Sequence, residues 1–171
     1  MNRKNVIKLK NENKTAWNPS SEDWGRICGK KLYFRGKHQI KIKIDQFPNP
    51  KRHEKNEIRL GVIKTENREK LIENGNWEKT YLFQNNWDGQ KNKSKKFKKE
   101  NENWIGKNYY NKIKIKKNDI FTIFLDMDQK KISFKLNEKK LEGWENLPEK
   151  VNFFAALKNL KGKEKNQITI I

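Results

Sequence analysis

Residues able to do chemistry are few in this chain. The 171-residue sequence contains two histidines, His38 and His53, and one cysteine, Cys28. Catalysis needs a nucleophile beside a base, a carboxylate pair or a metal cluster, and the sequence supplies few candidates for any of them. Asp126 and Asp128 stand two apart in a polar turn, where aspartates commonly bond the local backbone, and a Ca²⁺ site would need more oxygen ligands. Glycine-rich phosphate-binding motifs are absent from the sequence. We therefore expect a protein that is not an enzyme, with no metal and no cofactor.

The single cysteine also limits the architecture and the compartment. It excludes an intramolecular disulfide, a multi-cysteine zinc cluster and a RING-type module within this sequence, and it fits a reducing compartment. We expect Cys28 to be a small residue at a strand end. No apolar run approaches the roughly 20 residues of a transmembrane helix, and the N-terminus lacks a signal-peptide pattern. These features predict no membrane association and a cytoplasmic location, with entry into the nucleus left open.

The formal net charge of +20 comes mostly from lysine. Lysine, asparagine and isoleucine are abundant together, which is typical of translation from an A+T-rich genome, so coding bias accounts for part of the charge. Arginine binds phosphates and bases through a planar fork, whereas lysine is a solvated point charge. The charge therefore predicts a salt-dependent, non-specific attraction to nucleic acid rather than sequence recognition.

The elements that would position a binding site are predicted to be β-strands. Between Asn118 and Leu141 an apolar run, Ile120–Leu125, is followed by a polar turn at Asp126–Lys130. A second strand then alternates between two faces, which is the pattern of a hairpin with one buried side. Its apolar positions are Ile132, Phe134 and Leu136, and its polar positions are Lys131, Ser133 and Lys135.

Similar alternation elsewhere extends the β pattern over the chain. A helical turn is predicted over Glu66–Glu73, and the nearly all-polar residues 89–103 are predicted to be a long solvated loop. Residues 1–171 then form a single domain, an all-β antiparallel sandwich or barrel with short helical turns only. The apolar sets that share one parity are Ile40, Ile42 and Ile44; Ile58, Leu60 and Val62; and Val151, Phe153, Ala155 and Leu157.

The hairpin resembles the corresponding part of SPRY domains at several fixed spacings. Leu125-Asp126, Ile132-Ser133-Phe134 and Asn137 match the leucine-aspartate pair, the following strand and the asparagine of that family. The resemblance covers about residues 20–171, is strongest over 60–171, and includes no PRY-type segment. It implies a SPRY/B30.2-like, concanavalin-like jelly-roll sandwich. Further matches are Gly36, His38 with a packing or capping role, and Leu60-Gly61-Val62-Ile63; Asn118 stands where glycine is common and tolerates a left-handed backbone.

The resemblance also implies a function and a site. SPRY domains present loops at one end of a rigid sandwich and capture short segments of partner proteins, often for ubiquitin ligases or signalling assemblies. We therefore expect a monomeric protein-interaction module for a protein or peptide partner of acidic character. The candidate partner-binding residues are Asn49, Lys51, Arg52 and His53 after the Ile40–Ile44 strand; Asn85, Trp87 and Asp88 in an Asn85–Gly89 turn; and Asn159 and Leu160 after Leu157.

Alternatives to this hypothesis remain open. Trp87 can instead cap the sandwich, Leu160 can fold back against it, and the polar candidate residues can simply be solvated. Nucleic-acid binding through Lys95–Lys99 is the alternative function, but Phe97 is the only aromatic residue in that run, which favours a solvated loop or a nuclear-import signal. The remaining tryptophans considered, which we expect in core or edge packing, are Trp77, Trp104 and Trp144.

Overall fold

Two antiparallel sheets make up the structure. The computed structural model describes residues 7–19, 24–47, 56–74, 77–87, 92–100, 103–110, 115–159 and 165–171. Within these ranges the strands are β1 (Lys8–Lys10), β2 (Thr15–Trp17), β3 (Gly25–Tyr33), β4 (Lys37–Gln46), β5 (Asn56–Lys64), β6 (Thr80–Trp87), β7 (Asn92–Glu100), β8 (Asn103–Tyr110), β9 (Ile120–Asp126), β10 (Lys131–Leu136), β11 (Lys139–Trp144), β12 (Val151–Lys158) and β13 (Gln167–Ile170). A 3₁₀ turn at Thr65–Asn67 leads into the helix α1 (Arg68–Asn74).

The strand order separates the chain into two layers. The seven-stranded sheet runs β1-β2-β13-β4-β9-β10-β11, and the six-stranded sheet runs β3-β12-β5-β6-β7-β8. Neighbouring strands pair antiparallel throughout both sheets. The predicted all-β antiparallel sandwich and its short helical turn are therefore confirmed.

The core lies between the sheets, where alternate residues of each strand point inward. On β4 the side chains of Ile40, Ile42 and Ile44 are buried, while Lys41 between them is exposed. The predicted faces of β10 are confirmed in the same way, because Ile132 and the other residues of its parity are buried. Near the centre, rings from both layers meet: Phe83 of β6 with Phe121 of β9 and Phe134 of β10.

A second, smaller core lies on the outer face of the six-stranded sheet. There the helix α1 places Leu71 against Cys28 and Phe154, together with Ile63 and Leu82. Because this layer covers β12 from outside, all residues from Val151 to Leu157 are buried, not only those of the predicted parity.

Turn chemistry fixes both ends of the β9–β10 hairpin. The carboxylate of Asp126 accepts the Gln129 N–H at 2.9 Å, so the aspartate has the predicted turn role. Asp128 reaches further and accepts the Gly36 N–H at 2.7 Å, tying the turn to the start of β4. Asn118 has φ +70, which agrees with a position where glycine is common.

Three local predictions are wrong. The predicted loop over residues 89–103 contains β7, whose backbone pairs with β6 and β8 in register. The predicted Asn85–Gly89 turn starts too early, because β6 continues to Trp87. Cys28 lies inside β3 rather than at a strand end, since it contributes to the core under α1. Backbone pairing explains the first two errors, because main-chain hydrogen bonds form with polar side chains as well as with apolar ones.

A candidate partner-binding end of the sandwich

Strand pairing brings the described residues that flank the predicted loop segments to one end of the molecule, here called the loop end. Asn56 at the start of β5 pairs with Trp87 at the end of β6. Lys158 at the end of β12 pairs with Glu57 beside them. Gly25 at the start of β3 pairs with Leu157. The ends of β3, β12, β5 and β6 that lead into or out of the segments 20–23, 160–164, 48–55 and 88–91 therefore lie side by side in one sheet, although the segments are far apart in sequence.

The predicted site residues fall into three groups. Asn85 and Trp87 lie in the last part of β6, where the structure describes the backbone but not their side chains. Asn159 is described and buried. The others, which lie outside the described residues, are Asn49, Lys51, Arg52, His53, Asp88 and Leu160.

Asn159 belongs to a buried asparagine network at the base of the loop end. Its amide nitrogen donates to the backbone oxygen of Asn18, and its amide oxygen accepts the backbone N–H of Asn166 at 2.7 Å. Asn18 in turn donates to the backbone oxygen of Leu157 at 2.8 Å. The side chain of Asn159 is therefore used in hydrogen bonds that hold the base of the loop end together. Asn159 can affect a partner only indirectly, through the position of the backbone.

Asn166 completes the network on the other side. Its amide nitrogen donates to the backbone oxygens of Lys158 at 2.8 Å and Glu57 at 3.3 Å. The network thus joins the last residue of β12, the beginning of β5 and the approach to β13. Sequence reasoning missed Asn166, for which a single sequence offers no signal, and also missed Asn18, although the Asn18-Pro19 pair is typical of a turn.

The guanidinium of Arg59 lies between two tryptophan rings on the outer face of the six-stranded sheet, next to this network. The guanidinium carbon of Arg59 lies 4.2 Å from the ring centroid of Trp24 and 4.6 Å from that of Trp77. Its Nη2 lies 3.6 Å from Oε2 of Glu57, to which Gln84 also donates at 3.3 Å. Burial lowers the pKa of Arg59 to about 10, with Glu57 opposing the shift, so the arginine remains charged at neutral pH. Trp77 is therefore a packing residue, as expected.

The groups considered for catalysis have structural roles in the described residues. Nε2 of His38 bonds the backbone oxygen of Arg35 at 2.7 Å, and its ring meets Tyr33 edge-on at 4.9 Å between centroids, as expected for packing and capping. Burial raises the pKa of Cys28 to about 12, so its thiol is protonated at neutral pH. In the described residues there is no cluster of three or more histidine, cysteine, aspartate or glutamate side chains suited to a metal.

The described helices contain no segment of the length and apolarity that crossing a bilayer requires.

Known proteins match this chain in fold and not in sequence. The sequence matches no protein-family model and no curated protein. The structure is similar to the SPRY domain of human HERC1, with a TM-score of 0.59 and 14% identity over 96% of this chain and 91% of that one. It is also similar to the TRIM65 PSpry domain, with a TM-score of 0.61 and 13% identity over 98% of this chain and 86% of that one. The chain therefore has a SPRY-like fold, as the sequence resemblance implies.

Proposed function

We propose that this SPRY-like sandwich is a non-catalytic protein-interaction module that captures a short segment of a partner protein at the loop end. The observation that carries the proposal is the register of β5, β6 and β12, which places the ends of three predicted binding segments side by side. A rigid sheet that carries adjacent loops is the usual way to build a binding surface from sequence-variable segments.

The buried asparagine network supports the proposal energetically. Binding is weakened by the entropy lost when flexible segments become ordered, so segments whose ends are already fixed bind at lower cost. Asn18, Asn159 and Asn166 fix those ends through hydrogen bonds with backbone atoms. The Trp24–Arg59–Trp77 stack keeps the adjoining face in one arrangement.

The chemistry of the partner follows from charge. A net charge of +20 favours encounter with a segment of acidic character, because complementary charge raises association rates. Within a cell the module would then act as an adaptor, presenting its partner to ubiquitin ligation or to a signalling assembly in the cytoplasm or nucleus. We propose that it does so as a monomer.

The test is a capture experiment from the source cell's lysate after nuclease treatment, at near-physiological and at about 0.5 M salt, because salt screens charge attraction but not a packed anchor. We expect the wild-type protein to retain a partner at high salt and the Trp87→Ala/Leu160→Ala double variant to lose it. The control is Leu32→Ala/Phe34→Ala, two exposed apolar residues at the opposite end of β3. Equal loss in both double variants would contradict the loop-end site.

Nucleic-acid binding is the second candidate, favoured only by the net charge. The segment Lys95–Lys99 lies within β7, paired with β6 on one side and β8 on the other. If all captured material is released by nuclease or elutes at about 0.5 M salt, charge attraction to polyanions explains the binding. The protein-interaction proposal then fails for this protein.

A further inference from the structure

The outer face of the seven-stranded sheet carries a groove of about 700 Å³, far from the loop end. It lies over β9, β10 and β11, and Phe124 and Ser133 are among its lining residues. Phe124 has 38% of its surface exposed, which is unusual for an aromatic side chain in the middle of a sheet. We call this concavity the basic groove, because four lysines and two carboxylates line it.

Strand register arranges the basic groove in three rows across the sheet. The first row crosses β4, β9, β10 and β11 and is rich in lysine; the second holds the exposed aromatic ring; the third alternates in charge. In order across the strands, the groove residues of the three rows are Lys135 and Lys140; Phe124 and Ser133; and Lys37, Asp126 and Lys131. The first two rows continue on the neighbouring strands, outside the groove lining, with Lys41 and Thr122 and with Gln39. Successive rows are two residues apart along the strands, which is roughly 6.8 Å.

The positive charge of the basic groove is concentrated in the first row. In the third row Nζ of Lys37 lies 3.7 Å from Asp126, so this row already contains an opposite charge. Lys131 similarly lies 3.1 Å from Glu145. The first row contains no carboxylate; Nζ of Lys135 lies 2.7 Å from Glu138, which belongs to the exposed turn beyond β10.

Two residues of that first row repel each other in the folded protein. Lys135 and Lys140 are direct cross-strand partners on the outer face of β10 and β11. Like charges directly opposite each other on neighbouring strands destabilise a sheet, and the ion pair of Lys135 with the exposed Glu138 offsets part of this. An anion placed between the two ammonium groups would remove the repulsion.

The backbones of β10 and β11 pack closely at one wall of the basic groove. At Gly143 a Cβ would lie 1.6 Å from the carbonyl oxygen of Ile132, so β11 approaches β10 more closely than any other residue would allow. The β10–β11 register shifts at this point, between the pairs made by Ile132 and Phe134. A ligand therefore meets a preformed surface, which lowers the entropy cost of binding.

We infer that the basic groove binds an extended segment of a protein in which an acidic residue stands two positions from an apolar one. The apolar side chain packs on Phe124, and the carboxylate lies between Lys135 and Lys140. Along the strands the row of Lys135 and Lys140 lies two residues from Phe124, roughly 6.8 Å, which two residues of extended chain span. The segment must also cross obliquely from β9 towards β10 and β11, because Phe124 is on β9 and the two lysines are on the other two strands. On the other side of Phe124 the bound segment needs no acidic residue, because in the third row Asp126 already offsets the charge of Lys37.

The same charges argue against a nucleic acid in this groove. A nucleic-acid strand carries an anion at every nucleotide and would bring phosphates close to Asp126 and Glu145 as well as to the lysines. The four basic residues are all lysines, which lack the planar fork suited to phosphate. A segment with one acid at a defined distance from one apolar residue avoids both conflicts.

The proposal is tested by titrating ¹⁵N-labelled protein with a synthetic heptapeptide that has phenylalanine at its third position and aspartate at its fifth, in a serine–glycine background. We expect saturable chemical-shift changes confined to the backbone amides of β9, β10 and β11. A peptide with aspartate moved next to the phenylalanine should bind more weakly, because adjacent residues of an extended chain point to opposite sides. Unsaturable or scattered shifts, or equal affinity of the two peptides, would overturn the proposal.

Charge-reversal variants distinguish binding in the basic groove from attraction to the overall charge of the protein. Lys140→Glu should weaken binding about tenfold, since one exposed attraction is lost and a similar repulsion is gained. The control is Lys8→Glu, an exposed lysine on β1 at the opposite edge of the same sheet with the same change in net charge, which should weaken binding less than about twofold. Equal effects of the two substitutions would mean a general charge attraction and would contradict the groove.

A competing ligand gives the last arm of the test. Oligothymidylate added at equal charge should neither shift the same amides nor displace the peptide. If it does both at lower concentration than the peptide, the groove is a nucleic-acid site and the inference is wrong. The Trp87→Ala/Leu160→Ala variant should bind the heptapeptide normally, so a failure of the loop-end proposal and a failure of this one are distinguishable.

Discussion

The ring of Phe83 in the six-stranded sheet lies 5.0 Å from the ring of Phe121 in the seven-stranded sheet, tilted by 38°. Both side chains are almost fully buried. This pair joins the two layers at the centre of the sandwich, so the stability of the whole domain depends on it.

We expect Phe83→Ala to lower the free energy of unfolding by about 3–5 kcal/mol, because it removes buried apolar surface and leaves a cavity. Urea denaturation measures the change. The control is Phe124→Ala on the outer face of β9, where the ring is partly exposed and no sheet packs above it. A loss for Phe124→Ala as large as that for Phe83→Ala would mean that the two faces of the seven-stranded sheet are packed alike.

The asparagine network predicts a loss of stability from a single amide. Asn159→Ala leaves the Asn18 oxygen and the Asn166 N–H without their bonds to this side chain, and we expect a cost of about 2–3 kcal/mol. Gln46→Ala, an exposed change at the end of β4, should cost less than about 0.5 kcal/mol. Thermal and urea unfolding would check both values. Equal stability of Asn159→Ala and the wild type would show that the network does not hold the loop end.

Two glycines in strands should respond oppositely to alanine. Gly143→Ala places a methyl group 1.6 Å from a backbone oxygen, so β11 must move, and we expect a loss above about 2 kcal/mol. Gly29→Ala in β3 meets nothing closer than 3.7 Å and should be neutral or stabilising. Melting temperatures of the two variants provide the comparison. Similar effects at both positions would contradict the close approach of β10 and β11.

The stability of the protein depends on pH through the thiol of Cys28. Its pKa rises from 9.0 to about 12 on folding because burial disfavours the thiolate. Only the unfolded state loses the proton as the pH passes 9, so the stabilising contribution is complete below pH 9 and is lost above it. Between pH 8 and pH 10 the wild type should lose about 1 kcal/mol relative to Cys28→Ala. Parallel pH profiles of the two proteins would show that the thiol is not protected.

The like-charge pair across β10 and β11 predicts a gain in stability from charge reversal. Lys140→Glu places a carboxylate opposite Lys135, and we expect an increase of about 0.2–1 kcal/mol at low salt that falls as salt is added. Lys8→Glu lacks such a partner in register and should change stability less. Urea unfolding at two ionic strengths measures both. A destabilised Lys140→Glu protein would show that the two lysines do not repel.

Hydrophobic periodicity predicted the strands that have one buried and one solvent-exposed face. Ile40, Ile42 and Ile44 alternate with polar residues, and β10 does the same, so the buried parity of these two strands was readable from the sequence alone. The strand β7 was not predicted, because between residues 92 and 100 only Phe97 is apolar. The pairing of β7 depends on main-chain hydrogen bonds to β6 and β8. Such bonds form with any side-chain type, so the sequence of the strand does not reveal them.

The candidate site was predictable in part. The resemblance to SPRY domains indicated which loop segments to consider as the site. Only the strand order showed that the ends of these segments lie side by side. The contact between Asn159 and Asn18 joins residues 141 positions apart, and a single sequence gives no means of pairing them. The basic groove was equally hidden, since its rows consist of residues from four strands that only the register aligns.

The burial of β12 on both faces has a consequence for how the molecule opens. Every amide from Val151 to Leu157 lies between β3 and β5 and beneath buried side chains, so its exchange with solvent deuterium requires the cooperative opening of both layers. The exposed β1, at the edge of the other sheet, can detach without disturbing them. The amides of β12 should therefore exchange among the last in the described residues, so the frame at the base of the loop end is kept while an edge strand opens.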